Sequence, residues 1–372
     1  MRIVYLSGSD IPSRTANSIQ VMRMCEAFAR AGHETTLIGR RFKGGRQDDP
    51  YEFYGVRRNF ELDLVACRRI RGQGLLGLPA LGARLRRYDP EQVLIYARDI
   101  YGLWLAVRMG FRAVYEAHAA PYNVLIRHLE TTVLKSPRLL RLVVISEALK
   151  RMYIGRYNVA HKTVVCHDAA AVPAPADAGE MPWPPCRRTL QIGYTGHLYP
   201  GKGAEIVLAC AERLCEYDFH IVGGTETDIA FWKAKATSNV LFHGFLAPGR
   251  LDRARARFDV LLLPAQRSVI VPYSRSDIAA YMSPLKLFEY MASRRPIIAS
   301  DLPVLREVLD ERTAVLVCPD DPDRWVEAIR RCEAPAYRRA LADGAYEVFL
   351  ERHTWDKRAR AVLGDIPWQP TG

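Results

Sequence analysis

The 372-residue chain is 49% hydrophobic and 25% charged, the profile of an ordinary globular protein of about two domains, which excludes a disordered, collagenous or multi-span membrane chain. Its net charge of +12 lies entirely before residue 171, where 27 basic residues face 15 acidic ones; beyond that point they balance at 26 each. Such asymmetry calls for an anionic partner on the N-terminal half, either nucleic acid or a membrane surface.

No apolar run approaches the roughly 18 residues of a membrane-crossing helix. The opening MRIVYLSGSD has neither the apolar core nor the cleavage site of a signal peptide, so a cytoplasmic location is expected, peripheral at the inner face of the membrane if the basic half meets lipid. The eight cysteines, at 25, 67, 166, 186, 210, 215, 318 and 332, form no closely spaced pairs. A zinc site or redox dithiol is therefore not expected, and most read as small core residues.

Strand-like runs alternate with helix-period segments. RIVYL at 2–6 reads as a buried strand, and the next segment sets Val21, Met22, Cys25, Phe28 and Ala29 on one helical face, with Asn17 and Gln20 as its capping pair. Strands are predicted at 34–38, 92–96, 112–115, 141–145 and 163–166. Residues 171–188 carry five prolines, at 173, 175, 182, 184 and 185, a linker composition. Six more strands follow at 189–194, 218–222, 239–243, 258–263, 296–300 and 314–317. The reading is α/β: two doubly wound Rossmann-like domains, 1–170 and 189–352, facing a cleft where ligands bind, with a helix from about 353 packing back on the first domain.

Two constellations carry chemistry. In GYTGHLYPGKGAEIV, Gly193, Gly196, Gly201 and Gly203 let backbone approach a ligand, a helix begins near Ala204, and Lys202 adds a full charge at that helix's positive end. Together they suit a diphosphate; a tight turn with a solvated lysine is the plainer alternative. Neither the GxxxxGK[ST] nor the GxGxxG spacing is present, so no hydride-transfer cofactor is implied. In YMSPLKLFEYMA, Ser283 and Pro284 read as N-cap and first helical residue, and Lys286 and Glu289 share a face. Glu289 suits sugar hydroxyls; an intrahelical ion pair with Lys286 is the alternative.

These segments, with SGSDIPSRTANSIQV at the start, IYARD at 95–99, VYEAH at 114–118, VVISEALK at 143–150, FHIVGG at 219–224 and SDLPVLREV at 300–308, resemble the retaining, nucleotide-sugar-dependent glycosyltransferases of GT-B architecture, family 4. The resemblance implies that Lys202 neutralises a donor diphosphate and Glu289 holds the nucleotide ribose. It places the backbone of Ser283, Pro284 and Leu285 at the phosphates, Gly196, His197, Gly223 and Gly224 along the donor site, and His118 beside the reacting centre. A partly buried structural histidine is the alternative for His118. Arg14, Asn17, Ser18 and Arg98 fall on the acceptor side.

Three departures from the family pattern stand out. His197 stands where an arginine is common, which leaves Arg267 or Arg275 to replace the missing charge. Tyr281 stands where the first acid of an E-x7-E pair would fall, and Ala16, Asn17 and Ser18 replace a glycine pair. No D-x-D element lies on a loop, and DDPD at 320–323 reads as a helix start, so no metal is expected. The implied donor is a nucleotide sugar, UDP favoured over GDP on family frequency. The expected acceptor is a glycan, lipid-linked or of the cell envelope. This last expectation rests on residues 57–87, where Arg57, Arg58, Arg68, Arg69, Arg71, Arg84, Arg86 and Arg87 surround Leu75, Leu76, Leu78, Leu81 and Leu85, a pattern suited to an anionic membrane. A core helix with a solvated basic face, and a soluble acceptor, is the competing reading. A nucleotide-sugar epimerase of the same architecture is the rival enzyme. A nucleic-acid binder lacks a recognisable module, and oligomeric state leaves no trace in the sequence.

Overall fold

The computed structural model describes residues 1–68, 72–173, 183, 189–271 and 276–366. The chain divides into two compact units: Met1–His167 together with the segment from Trp355 onward, and Asp168–Thr354.

The first unit is built on a seven-stranded sheet of β1 (Arg2–Asp10), β2 (Glu34–Phe42), β3 (Glu61–Cys67), β4 (Val93–Ala97), β5 (Arg112–Ala117), β6 (Leu139–Val144) and β7 (Thr163–Val165). Its spatial order is β3-β2-β1-β4-β5-β6-β7, every pairing parallel. The second unit holds β8 (Gln191–Thr195), β9 (Asp218–Val222), β10 (Val240–Gly244), β11 (Val260–Leu263), β12 (Ile297–Ser300) and β13 (Val315–Val317), in the order β10-β9-β8-β11-β12-β13, again all parallel.

Because helices cover both faces of a parallel sheet, its central strands are apolar throughout instead of alternating. All five residues of β4, β8 and β9 are buried. Ile192 and Tyr194 pack into one core of the second unit, Leu261 and Leu263 into another on the opposite face. Strand order reverses between β1 and β4, and between β8 and β11. In such sheets the strand ends at a reversal diverge and leave a crevice for ligands.

Every strand expected from the sequence is present, and β3 is an addition. β3 is an edge strand whose residues, from Glu61 to Cys67, are nowhere fully buried, so it carries no continuous apolar run. It reduces the apolar and basic surface expected at 57–87: Arg84 bonds Asp63 of β3 at 2.9 Å, Leu85 is fully buried, and Leu75 and Leu76 stay 44% and 63% exposed. Arg69 and Arg71 lie outside the described residues.

The division falls after His167, three residues before the expected 170. The Asp168 amide donates to Ser283 Oγ at 2.9 Å and the Ala170 amide to the His353 carbonyl at 3.0 Å, tying this stretch to the second unit. The helix Trp355–Leu363 belongs to the first unit, where Arg30 meets Asp356 at 2.5 Å. In the first helix, Ala16–Arg30, the cap is Thr15 and not Asn17; the Thr15 side chain accepts from the Ser18 amide. Gln20 turns inward instead. Of the linker expected at 171–188, residues 174–182 and 184–188 lie outside the described residues.

Candidate active site

In the second unit the carboxyl ends of β8 and β9 form a tight double loop. Gly196 (φ 137°) donates its amide to the Val222 carbonyl at 2.8 Å and accepts from the Gly224 amide at 3.1 Å. A Cβ on Gly223 would stand 2.2 Å from the Gly196 carbonyl oxygen, so the two loops touch only because glycine is present. The other glycines serve packing. A Cβ on Gly193 would strike the Phe258 ring at 2.0 Å, on Gly201 the Ser268 carbonyl at 2.2 Å, and on Gly203 the Pro264 carbonyl at 1.9 Å. At these three, protein atoms fill the side where a Cβ would stand, so close packing by itself requires glycine.

Gly203 (φ 81°) is the N-cap of the helix Ala204–Arg213. It sets Lys202 just ahead of that helix, against the Tyr199 ring at 5.0 Å. Burial lowers Lys202 to about 8. The helix Leu285–Ala292 meets the same strand end, where its Tyr290 hydroxyl accepts the Thr195 amide at 2.8 Å. Its Lys286 Nζ lies 4.0 Å from the Tyr194 ring centre. Burial, and then the charge of Lys202, drive Lys286 well below the usual lysine value. Among the described residues, neither lysine has a carboxylate within 4 Å.

Glu289 lies one turn beyond Lys286 but is drawn elsewhere: Arg255 Nη1 reaches its Oε2 at 3.1 Å. Arg255 is only 2% exposed and also reaches Asp252 at 2.5 Å. The alternative reading, a Lys286–Glu289 pair, gives way to an Arg255–Glu289 pair, and Glu289 is held in place with Oε1 unoccupied among the described residues. Tyr281, in the position of the absent acid, is buried.

Two further expectations change. Ser283 is not the N-cap; Pro284 holds that position, and Ser283 Oγ accepts the Asp168 amide. Arg267 is exposed and paired with Asp320 at 2.6 Å, which commits its charge elsewhere. Arg275 lies outside the described residues. The His197 ring stands 5.7 Å from the Tyr199 ring, and the His197 carbonyl accepts from Tyr194 at 2.6 Å. Asp321 caps the helix Pro322–Arg331, as expected from DDPD.

In the first unit, a closed polar network sits at the end of β5. Glu116 is buried and accepts from Gln20 Nε2 at 2.7 Å, from the Tyr96 hydroxyl, and from Arg358 at 2.8 and 3.3 Å. His118 Nε2 meets the same carboxylate. Burial alone would raise the Glu116 carboxyl, but Arg358, His118 and Arg98 together hold it well below the usual carboxylate range. Since an ionised carboxylate only accepts, the proton of this contact sits on His118 Nε2. Arg98 Nη1 bonds Gln20 Oε1 at 2.7 Å and so joins the network.

Sequence reasoning missed Glu116, Gln20, Tyr96 and Arg358. Only the E-x-H spacing at a strand end pointed to Glu116, and nothing local marks Arg358, which reaches it from 242 positions later. Of the expected acceptor-side residues, Arg98 alone joins His118's network. Arg14 and Asn17 are exposed. Ser18 is fully buried, donating to the Thr15 carbonyl at 2.9 Å, so it shapes the turn and does not face a ligand.

Comparison with known proteins bears on both units. Residues 18–169 match the family model "Glycosyltransferase Family 4", and residues 189–334 match "Glycosyl transferases group 1". TuaH of Bacillus subtilis (strain 168), a glycosyltransferase named for teichuronic acid biosynthesis, is 24% identical over 149 residues; the match spans 40% of this chain and 35% of that relative's length. Among solved structures, sucrose-phosphate synthase from Thermosynechococcus elongatus superposes with a TM-score of 0.70 at 19% identity, covering 97% of this chain and 96% of that one. TarM of S. aureus, in a complex with UDP, gives 0.71 at 11% identity over 97% and 98%. HepE of Anabaena, in complex with UDP-glucose, gives 0.69 at 16% identity over 98% of each chain. With a matching family model on each unit and this fold throughout, the chain belongs to the family 4, group 1 glycosyltransferases of GT-B architecture.

Proposed function

We propose that the protein is a retaining glycosyltransferase that moves a sugar from a nucleoside-diphosphate sugar, UDP favoured, to a hydroxyl of a glycan acceptor that is lipid-linked or part of the cell envelope. One observation carries the donor side: Lys202 lies at a strand-order reversal beside a helix N-terminus, buried enough to lose part of its hold on its proton, with no carboxylate within 4 Å among the described residues to compensate it. Such a site favours an anion.

As the anomeric carbon leaves the diphosphate oxygen, negative charge grows on the outer phosphate. Lys202 and the amide ends of Ala204–Arg213 and Leu285–Ala292 meet that charge with dipoles already in place, an effect worth several kcal/mol in enzymes generally. The new bond forms between acceptor oxygen and anomeric carbon, and the acceptor proton departs with the diphosphate. With the cation supplied by lysine, the reaction is metal-independent in this reading. Arg255 holds Glu289 so that its remaining oxygen accepts from ribose hydroxyls, and Gly223 and Gly224 let the nucleotide lie close to backbone. His118, anchored through Nε2 to Glu116, is the first unit's candidate beside the transferred sugar.

Support for a membrane-borne acceptor comes from the first unit, which holds the charge excess and exposes Leu75, Leu76, Tyr122, Val124 and Leu125 at 43–78%. Among the described residues no helix is long and apolar enough to cross a membrane; a peripheral contact is the mode proposed.

The test is transfer from UDP- and GDP-sugars, with product anomers read by NMR before they equilibrate. Retained configuration, and turnover that survives EDTA, are expected. Inversion, or strict restoration by Mg²⁺ after chelation, contradicts the reading. Hydrolysis or epimerisation of donor without any acceptor favours the epimerase. Sedimentation with anionic and neutral vesicles at low and high salt tests the membrane contact; no binding to anionic vesicles at low salt removes it.

A further inference from the structure

Lys286 is built into the second unit at odds with its surroundings. It occupies the second position of the helix Leu285–Ala292, where the helix dipole disfavours a cation. Its Nζ stands 2.7 Å, and its Cε 3.0 Å, from the point where a Cβ on Gly196 would lie. The ammonium therefore fills the space that glycine leaves at the carboxyl end of β8. Its close neighbour is the Tyr194 ring face, which contributes only weakly to holding a cation. Glu289 is turned toward Arg255, and the charge of Lys202 opposes the proton on Lys286. Two partly buried ammonium groups at one strand end, with no carboxylate within 4 Å of either among the described residues, cost free energy in the empty protein. An anion bearing more than one charge would relieve both.

We propose that Lys286 is a second diphosphate ligand, acting with Lys202 from the opposite helix so that the two ammonium groups straddle one nucleoside diphosphate. This rests on the donor-site reading above and adds the residue that completes its charge, a role that Arg267, committed to Asp320, does not fill. The close contact also explains a glycine at 196, since any side chain there would displace the ammonium.

The experiment is calorimetric titration of the full chain with UDP, UMP and uridine, for wild type, Lys286→Met and Lys286→Arg. The methionine keeps the apolar stem that packs on Tyr194. Loss of a charge-assisted contact weakens UDP binding in Lys286→Met about tenfold or more, UMP less, and uridine not at all, while Lys286→Arg recovers part of the loss. Unchanged UDP affinity in Lys286→Met, or equal losses for all three ligands, overturns the assignment while the donor site stands. Wild-type protein that binds none of UDP, GDP, ADP and TDP overturns the donor site and this assignment together. If Lys286→Met does not fold, Lys286→Gln is titrated in its place under the same criteria.

Discussion

The networks at the strand ends of the two units handle buried charge in opposite ways. At the end of β5, Glu116 is enclosed by Arg358, Gln20, Tyr96 and His118, and its charge is matched within the protein. At the end of β8, Lys202 and Lys286 lie together with no carboxylate within 4 Å among the described residues. A closed network fixes geometry; an open one, in the function proposed above, receives the donor's charge. The difference separates two kinds of site that residue type alone does not: the acid and histidine at one strand end are matched within the protein, which leaves His118 anchored, while the two lysines beside two helix ends at the other are not.

Opening the closed network gives the largest expected effect. Arg358→Met leaves Glu116 buried without its cation, a change expected to cost about 3–5 kcal/mol, read as a lower urea midpoint with an unchanged slope. Because the folded pKa of Glu116 is depressed, its contribution is fully present above the ordinary carboxylate value and is lost only as pH falls through the lower folded one. The wild-type advantage over Arg358→Met is thus expected to hold at neutral pH and shrink in acid. An unchanged midpoint at pH 7 would break the contrast.

Removing a lysine from the open network has the opposite signature. Lys202→Ala is expected to lower turnover about 10²–10³-fold without loss of stability, because the charge removed is one the empty protein carries at a cost. Glu289→Ala lies between the two. It leaves Arg255 buried with only Asp252, costing about 2 kcal/mol, and chiefly weakens donor binding. A variant that lost stability but bound UDP normally would reduce Glu289 to a structural partner of Arg255.

The smallest effect is on pH dependence. With Lys202 at about 8 in the fold against an ordinary 10.5, kcat/KM for the donor is expected to fall as pH rises through about 8, since the free enzyme loses the proton that binds diphosphate. Stability of the empty protein moves the other way: the unfolded chain keeps that proton to higher pH, so folding gains between about 8 and 10.5. A donor profile flat from pH 7 to the ordinary lysine value would mean that Lys202 does not carry the binding charge.

The sequence made the parallel sheets legible because buried central strands such as VLIYA and QIGYT are continuous apolar runs bounded by turns. The half-exposed edge strand ELDLVAC lacks that mark and merged into the arginine-rich segment. Lys202 and Glu289 stood out as candidates because each lies near a helix start, Lys202 in a glycine-rich loop and Glu289 in the helix that follows Ser283 and Pro284. Lys286 was visible only as the alternative partner of Glu289, since i,i+3 spacing predicts proximity without revealing that Arg255, 34 positions away, competes for the carboxylate. The pairing of Glu116 with Arg358 joins β5 to a distant helix, and no local spacing encodes it.

The most direct test is a crystal structure of the protein with UDP or a non-hydrolysable UDP-sugar. The account predicts diphosphate oxygens within hydrogen-bond distance of Lys202 Nζ and at the amide end of Ala204–Arg213, with Glu289 facing the ribose and Arg255 still bonded to it. A nucleotide bound elsewhere on the chain, with Lys202 turned away from its phosphates, would contradict it.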